Sequence, residues 1–198
     1  MQKIIFTDLD GTLTLKDTYT KFLLQNLTFG VVVKNAWNLV SLLVMHTLKK
    51  LDDDAVKMRT FKMFFDGFDT TIVFDEFVKS IPWNPKVLKL IEEKREEGYR
   101  VVIVTASPDV YVTHVCKHLG YDDFISTKTQ KEGIYLNGEI DGKICNFKEK
   151  PKRILEFLNG QTPQHTISYG NSSGDYAMLE FCDESYFVKK QNIKRYES

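Results

Sequence analysis

Apolar positions along this chain switch between two spacings, and the switches mark the elements. Lys3-Ile4-Ile5-Phe6-Thr7 is short and β-branched and breaks off at Asp8-Leu9-Asp10-Gly11-Thr12, which predicts a strand running into a loop. From Asp17 to Val78 the spacing is helical, through Phe22, Leu23 and Leu27, then Val40, Leu43, Val44 and Leu48. It continues through Val56, Met58, Phe61, Phe64 and Phe65 to Phe74, Phe77 and Val78. That pattern predicts three or four helices with no strand between them.

After the punctuation Ile81-Pro82-Trp83-Asn84-Pro85, Lys86 to Glu97 reads as an amphipathic helix closed by Gly98. Arg100-Val101-Val102-Ile103-Val104-Thr105 is a continuous apolar run, the form of a parallel strand covered on both faces. Asp109 to Leu119 predicts a helix ended by Gly120, and Phe124 to Thr127 a short strand. Ile134 to Ile140 predicts a hairpin turning at Asn137-Gly138. Pro151 to Asn159 predicts a helix, His165 to Tyr169 a strand, Tyr176 to Phe181 a short helix and Ser185 to Val188 a last strand. Strands alternating with helices imply an α/β fold, a doubly wound, Rossmann-like parallel sheet. The helical block is then an insertion, an all-helical cap over 15–81 set into a core of 1–14 and 82–198.

Composition narrows the function classes. With 198 residues, 42% of them hydrophobic, the chain can bury a substantial core. Lys plus Arg equals Asp plus Glu at 27 each, so no net field draws nucleic acid or an anionic membrane. Cys116, Cys145 and Cys182 are odd in number and lack C-x-x-C spacing, which argues for reduced thiols rather than a disulfide framework or a structural zinc site. The first residues carry no signal-peptide pattern, and a cytoplasmic location is expected. Leu27 to Leu48 is the most lipid-like stretch, but Lys34, Asn35, Asn38 and Ser41 interrupt it, and a buried helix is expected in preference to membrane contact.

Asp8 and Asp10 are one residue apart in a glycine-containing turn, so both can face one small site, one carboxylate as nucleophile and the other for proton transfer. Carboxylates that close repel unless a cation lies between them, and a hard, oxygen-seeking cation such as Mg²⁺ meets that need. Asp8-Leu9-Asp10-Gly11-Thr12-Leu13-Thr14 resembles the first motif of the haloacid dehalogenase-like hydrolases, and three further motifs follow in order. Thr105-Ala106-Ser107 resembles the second, whose hydroxyl and backbone N–H groups hold a transferred phosphoryl group. Lys150 matches the third-motif lysine, with Lys148 as its competitor. Gly170-Asn171-Ser172-Ser173-Gly174-Asp175 resembles the acidic fourth motif, with Asn171 where an aspartate is usual. An amide oxygen can ligate Mg²⁺ but brings no charge.

The resemblance is to the phosphoserine phosphatase-like branch, in which a block between the first and second motifs caps the site. It implies a phosphatase acting on a small phosphomonoester. Asp8 attacks phosphorus, Asp10 protonates the leaving oxygen and then activates water, Thr105 and Lys150 stabilise the phosphoryl oxygens, and Asp8, Asp10, Asn171 and Asp175 surround Mg²⁺. Asp17 stands where phosphoserine phosphatases carry a glutamate that meets the substrate amine. Arg59, the only arginine before Arg95, suits a carboxylate clamp. The apolar cap residues suit a lipid phosphate instead, nucleotide and sugar phosphates stay open, and Asn171 leaves room for a weakened phosphate-binding module. His114 and His118, one helical turn apart, lack a third ligand and are expected to be surface residues rather than a metal pair.

Overall fold

The computed structural model describes residues 2–27, 29–72 and 74–197; of the spans named above, Met1, Thr28, Val73 and Ser198 lie outside the described residues. In chain order, β1 (Lys3–Thr7) leads through a tight loop to α1 (Thr18–Asn26), α2 (Phe29–Thr47), α3 (Asp53–Phe65), β2 (Asp66–Asp69), α4 (Asp75–Lys79) and α5 (Pro85–Glu96). Then come β3 (Tyr99–Pro108), α6 (Asp109–Leu119), β4 (Asp123–Thr127), β5 (Thr129–Glu132) and β6 (Tyr135–Ile140). The chain closes with α7 (Glu149–Leu158), β7 (His165–Gly170), α8 (Tyr176–Leu179), β8 (Glu184–Lys189) and β9 (Asn192–Arg195).

These elements fall into two compact units. The first comprises Met1–Thr18, Phe74–Thr127 and Lys143–Ser198, the second Tyr19–Val73 and Lys128–Gly142.

In the first unit a six-stranded sheet runs β4-β3-β1-β7-β8-β9. Every pairing is parallel except the terminal β8–β9 hairpin, whose second strand the sequence pattern did not reveal. Central strands of such a sheet are covered on both faces, and their apolar runs show it. Ile4 and Phe6 of β1 with Val102 and Val104 of β3 pack against Ile154 and Leu158 of α7 and Met178 of α8. Ile5, Val101 and Ile103 point the other way and are fully buried, as are Val87 and Ile91 of α5, which packs on β3. The strand order reverses direction at β1, flanked by β3 and β7. Ligands of open α/β sheets bind beyond the strand C-termini at such a switch point.

The second unit is not all-helical, contrary to the expectation. It joins α2, α3 and most of α1 to a three-stranded sheet ordered β2-β6-β5. Its boundaries also differ from 15–81, because α4 belongs with the first unit and residues 128–142 with the second. The strand β2 that interrupts the helical block is only four residues, Asp-Gly-Phe-Asp, too short and polar to show alternation. A stack of aromatic rings forms its core, with Phe22 and Phe65 at 4.8 Å between centroids and Phe61 and Phe68 at 5.1 and 5.4 Å from Phe65.

The hairpin turn is not at Asn137-Gly138. The chain reverses between β5 and β6 at residues 133–134, and Gly138 lies inside β6 at φ 74°, where a Cβ would stand 2.9 Å from the Lys62 backbone. Gly138 therefore serves close helix–strand approach rather than a turn. Helix α2 is not buried either. Only Leu42 of its residues is fully covered, while Trp37 is 83% exposed.

Candidate active site

β1 delivers Asp8 to the switch point, and the Asp8 backbone N–H donates to the Tyr169 carbonyl of β7 at 2.9 Å. The following loop is tightly wound. Gly11 takes φ 83°, Thr14 N–H returns to the Leu9 carbonyl at 3.0 Å, and the buried Asn84 amide donates to the Thr12 carbonyl at 3.1 Å. A Cβ on Gly11 would stand 2.1 Å from the Asn171 side chain, so the glycine answers both the left-handed backbone and the close approach of the fourth-motif loop.

Lys150 joins the four sequence-distant segments. It sits in the first turn of α7, rather than just ahead of the helix, and is 1% exposed. Its ammonium donates to Asp8 Oδ1 at 2.7 Å, Asp175 Oδ1 at 2.6 Å and the Val104 carbonyl at 2.8 Å, which uses all three protons. Lys148, by contrast, is exposed. Burial acts to lower the Lys150 pKa, but Asp175 and Asp8 overcome it and hold the group above its ordinary value.

Two buried carboxylates thus face one ammonium, and the two differ. Burial works to raise Asp175, yet Lys150 and the backbone N–H groups of Asn171 and Ser172 hold it below the usual carboxylate range. For Asp8, burial and the charge of Asp175 outweigh Lys150, with Asp10 adding to the rise, and its carboxyl is pushed up to about 7. The cluster carries a surplus negative charge at Asp8.

Asp175 Oδ2 accepts from Asn171 N–H, Ser172 N–H and Ser172 Oγ, each at 3.0 Å. With Lys150 on Oδ1, this carboxylate is committed to shaping the loop, which differs from the ligand role expected of it. One end of the Asn171 amide stands 3.1 Å from the Asp10 carbonyl oxygen and 3.3 Å from Asp8 Oδ2. As an NH₂ group it donates to both. As a carbonyl it would place three oxygens face to face, an arrangement stable only around a cation. Among the described residues no group of three His, Cys, Asp or Glu forms a metal cluster. The donors present are carboxylate, amide and backbone oxygens, the chemistry that suits Mg²⁺.

Asp10 is held separately from this buried cluster. Thr18 N–H donates to its Oδ1 at 2.6 Å and Ser107 Oγ–H to its Oδ2 at 2.5 Å, while its backbone carbonyl turns toward Asn171. Ser107, expected to meet substrate, therefore spends its hydroxyl on Asp10. Thr105 is buried at the end of the β3 core with its Oγ accepting from Ser107 N–H at 3.1 Å, and the Ala106 carbonyl accepts from Thr127 Oγ at 2.9 Å. Asp17 is exposed directly ahead of α1. Arg59 belongs to the second unit, where it is exposed with its guanidinium 3.9 Å from Met45 Sδ. His114 and His118 lie against the rings of Phe74 and Trp83.

Three residues of the site carried no recognised signal. Thr12 donates to Asp8 Oδ2 at 3.2 Å, and its position directly after Gly11 in the first motif was the available clue. Thr18 positions Asp10 through its backbone and pairs its hydroxyl with the buried Tyr111 at 3.1 Å. Nothing in the spacing ties Tyr111 to Asp10, because the helix that carries it packs there only in the fold.

Known proteins resemble this chain over most of its length. Protein CicA of Caulobacter vibrioides is 31% identical over 194 residues, covering 91% of this chain and 83% of that protein. A phosphoserine phosphatase of Archaeoglobus fulgidus is 26% identical over 110 residues, covering 54% of this chain and 32% of that one. A solved phosphoserine phosphatase, captured as a phospho-aspartyl intermediate analogue, superposes with a TM-score of 0.66 over 93% of this chain and 85% of its own at 17% identity, which shows a shared fold. The model of the haloacid dehalogenase-like hydrolases matches residues 5–180, from the strand that delivers Asp8 to beyond the loop that ends in Asp175, and the chain belongs to that family.

Proposed function

We propose that this hydrolase is an Mg²⁺-dependent phosphatase that passes the phosphoryl group of a small phosphomonoester through Asp8. The observation that carries the reading is the buried Asp8 carboxylate, tied by Lys150 on one oxygen and faced by Thr12 and Asn171 on the other, with a second carboxylate two residues on that is held apart from it.

Asp8 attacks phosphorus and the bond from phosphorus to the leaving oxygen breaks. Asp10 gives that oxygen its proton, then takes a proton from the water that attacks the aspartyl-phosphate and frees Asp8. Thr18 N–H and Ser107 Oγ–H fix the Asp10 carboxyl for both transfers. Lys150, held by Asp175 and the Val104 carbonyl, keeps positive charge beside Asp8 throughout. Asp8, the Asp10 carbonyl and Asn171 would hold Mg²⁺, which supplies positive charge to offset the carboxylate and the phosphoryl oxygens.

Asp17, exposed directly ahead of α1, supports an amino-acid phosphate as substrate by offering an acid to an amine. The exposed apolar face of α2 favours a second reading, a phosphomonoester on a lipid. Phosphate release is the test, from amino-acid, sugar, nucleotide and lipid phosphates, with Mg²⁺ or with chelator, for the parent and Asp8→Asn. Metal-dependent release lost in Asp8→Asn supports the reaction class and ranks the substrates. No release from any compound overturns it in favour of a phosphate-binding module.

A further inference from the structure

Helix α2 sets an unusual surface on the second unit. At ~100° per residue, Phe29, Val33, Trp37, Val40, Leu43 and Val44 fall within an arc of about 120°. Phe29 is 86%, Trp37 83% and Leu43 65% exposed. The opposite face is already used, since Leu42 is buried and the Asn35 amide reaches the Met63 carbonyl of α3 at 3.4 Å. By length and composition alone this is the one helix among the described residues fit to cross a bilayer. A spanning role conflicts with Lys34, Asn35, Asn38 and Ser41 along its length and with its packing on α3. A helix with one apolar stripe and one face fixed to its own domain suits the interfacial plane, lying along the surface.

Charge selects among occupants for that stripe. Residues 29–50 contain Lys34, His46, Lys49 and Lys50 and no acidic side chain. A cleft lined by Asn35, Asn38, Ser41, Arg59 and Lys62 adds two more cations beside the helix, Lys62 being bridged to Glu139. The acids at 52–54 come only after the helix, where Asp52 Oδ1 caps α3 by accepting from Ala55 N–H at 2.7 Å. An anionic lipid surface complements the lysines along and after this helix.

We propose that the Phe29–Thr47 helix is an interfacial docking surface that seats this protein on bilayers containing anionic phospholipid. Trp37 and its neighbours enter the headgroup boundary and the flanking lysines meet lipid phosphates. The proposal does not depend on the phosphatase reading, since lipid binding is measured without turnover.

The test is co-sedimentation with vesicles of phosphatidylcholine alone or mixed with phosphatidylglycerol. The full chain is expected to bind the mixed vesicles, more weakly as salt rises. Trp37→Glu with Val40→Glu, both at exposed positions, should weaken that binding at least ~10-fold. Lys49→Glu with Lys50→Glu should reduce the preference for phosphatidylglycerol, while Asp8→Asn should bind like the parent whether or not the parent hydrolyses anything. Failure to sediment with either vesicle overturns the proposal, as does unchanged binding by the Trp37→Glu/Val40→Glu variant. A parent that dimerises in solution while that variant is monomeric also overturns it, because the stripe then belongs to a second copy.

Discussion

Replacing Lys150, which is 1% exposed, by Met removes the cation that Asp8 and Asp175 share and leaves the two carboxylates without it. Removing one partner from a buried ion pair costs about 3–5 kcal/mol, because the stranded charge keeps its desolvation penalty. Here the cost must depend on pH. The Asp8 carboxyl, already raised to about 7, can take up a proton and shed its charge, whereas Asp175 retains the backbone donors of Asn171 and Ser172. The loss should therefore approach about 4 kcal/mol near pH 8 and shrink by about half near pH 5.5. Urea unfolding in chelator, with the midpoint and slope compared to the parent, measures it. Adding Asp8→Asn to Lys150→Met should recover more than about 1 kcal/mol near pH 8, the signature of direct coupling. A Lys150→Met protein within about 0.5 kcal/mol of the parent near pH 8, or one whose deficit ignores both pH and Asp8→Asn, would refute the charge argument.

The same surplus charge governs the parent without metal. Asp8 is pushed up to about 7 from the 3.8 of an ordinary aspartate, so its contribution to stability is fully present below about pH 4 and is lost as pH rises through about 7. That swing is at most about 4 kcal/mol, and Asp8→Asn should flatten it in chelator; an equally steep loss in Asp8→Asn would place the titration elsewhere. Gly11→Ala meets both a φ of 83° and the Asn171 side chain 2.1 Å away, and should lower kcat and weaken Mg²⁺ together while costing ~1–2 kcal/mol of stability. Parent-like turnover in that variant would show that the Asn171 loop has room to yield. Ser107→Ala takes the hydroxyl donor from Asp10 Oδ2, so kcat should drop roughly 10-fold and the pH–rate profile should move, with folding intact. A change in KM alone would assign Ser107 to substrate instead.

The parallel core was readable because a strand covered on both faces announces itself as an unbroken apolar run, as in Ile4 to Phe6 and Val101 to Val104. Gly120 marked the end of α6 for a physical reason too, since it takes the left-handed conformation at φ 61°. The second unit was less legible. A helical stripe shows which residues share a face but not whether anything covers it, so α2 read as buried although Trp37 is open to solvent. Asn137-Gly138 carried a turn signal, yet the positive φ of Gly138 answers the approach of the Lys62 backbone, a contact between residues 76 apart in the chain by their numbers. At the site, the pairing of Asp8 with Asp10 lay in local spacing. The joining of Asp8 to Lys150 and Asp175 is long-range and was legible only through the order of the motifs. The four hydrogen bonds that Asp175 accepts were not legible either, since three come from its own loop and one from the distant Lys150.

The central claim is that the phosphoryl group rests on Asp8 between the two half-reactions, and acid-quench trapping tests it most directly. With Mg²⁺ and a phosphate-labelled substrate from the release panel, the parent should yield protein-bound label that survives acid and is released by hydroxylamine, as an acyl phosphate is. Asp8→Asn should yield none. Label of the same stability on Asp8→Asn, or phosphate release by that variant at the parent's rate, would contradict the account.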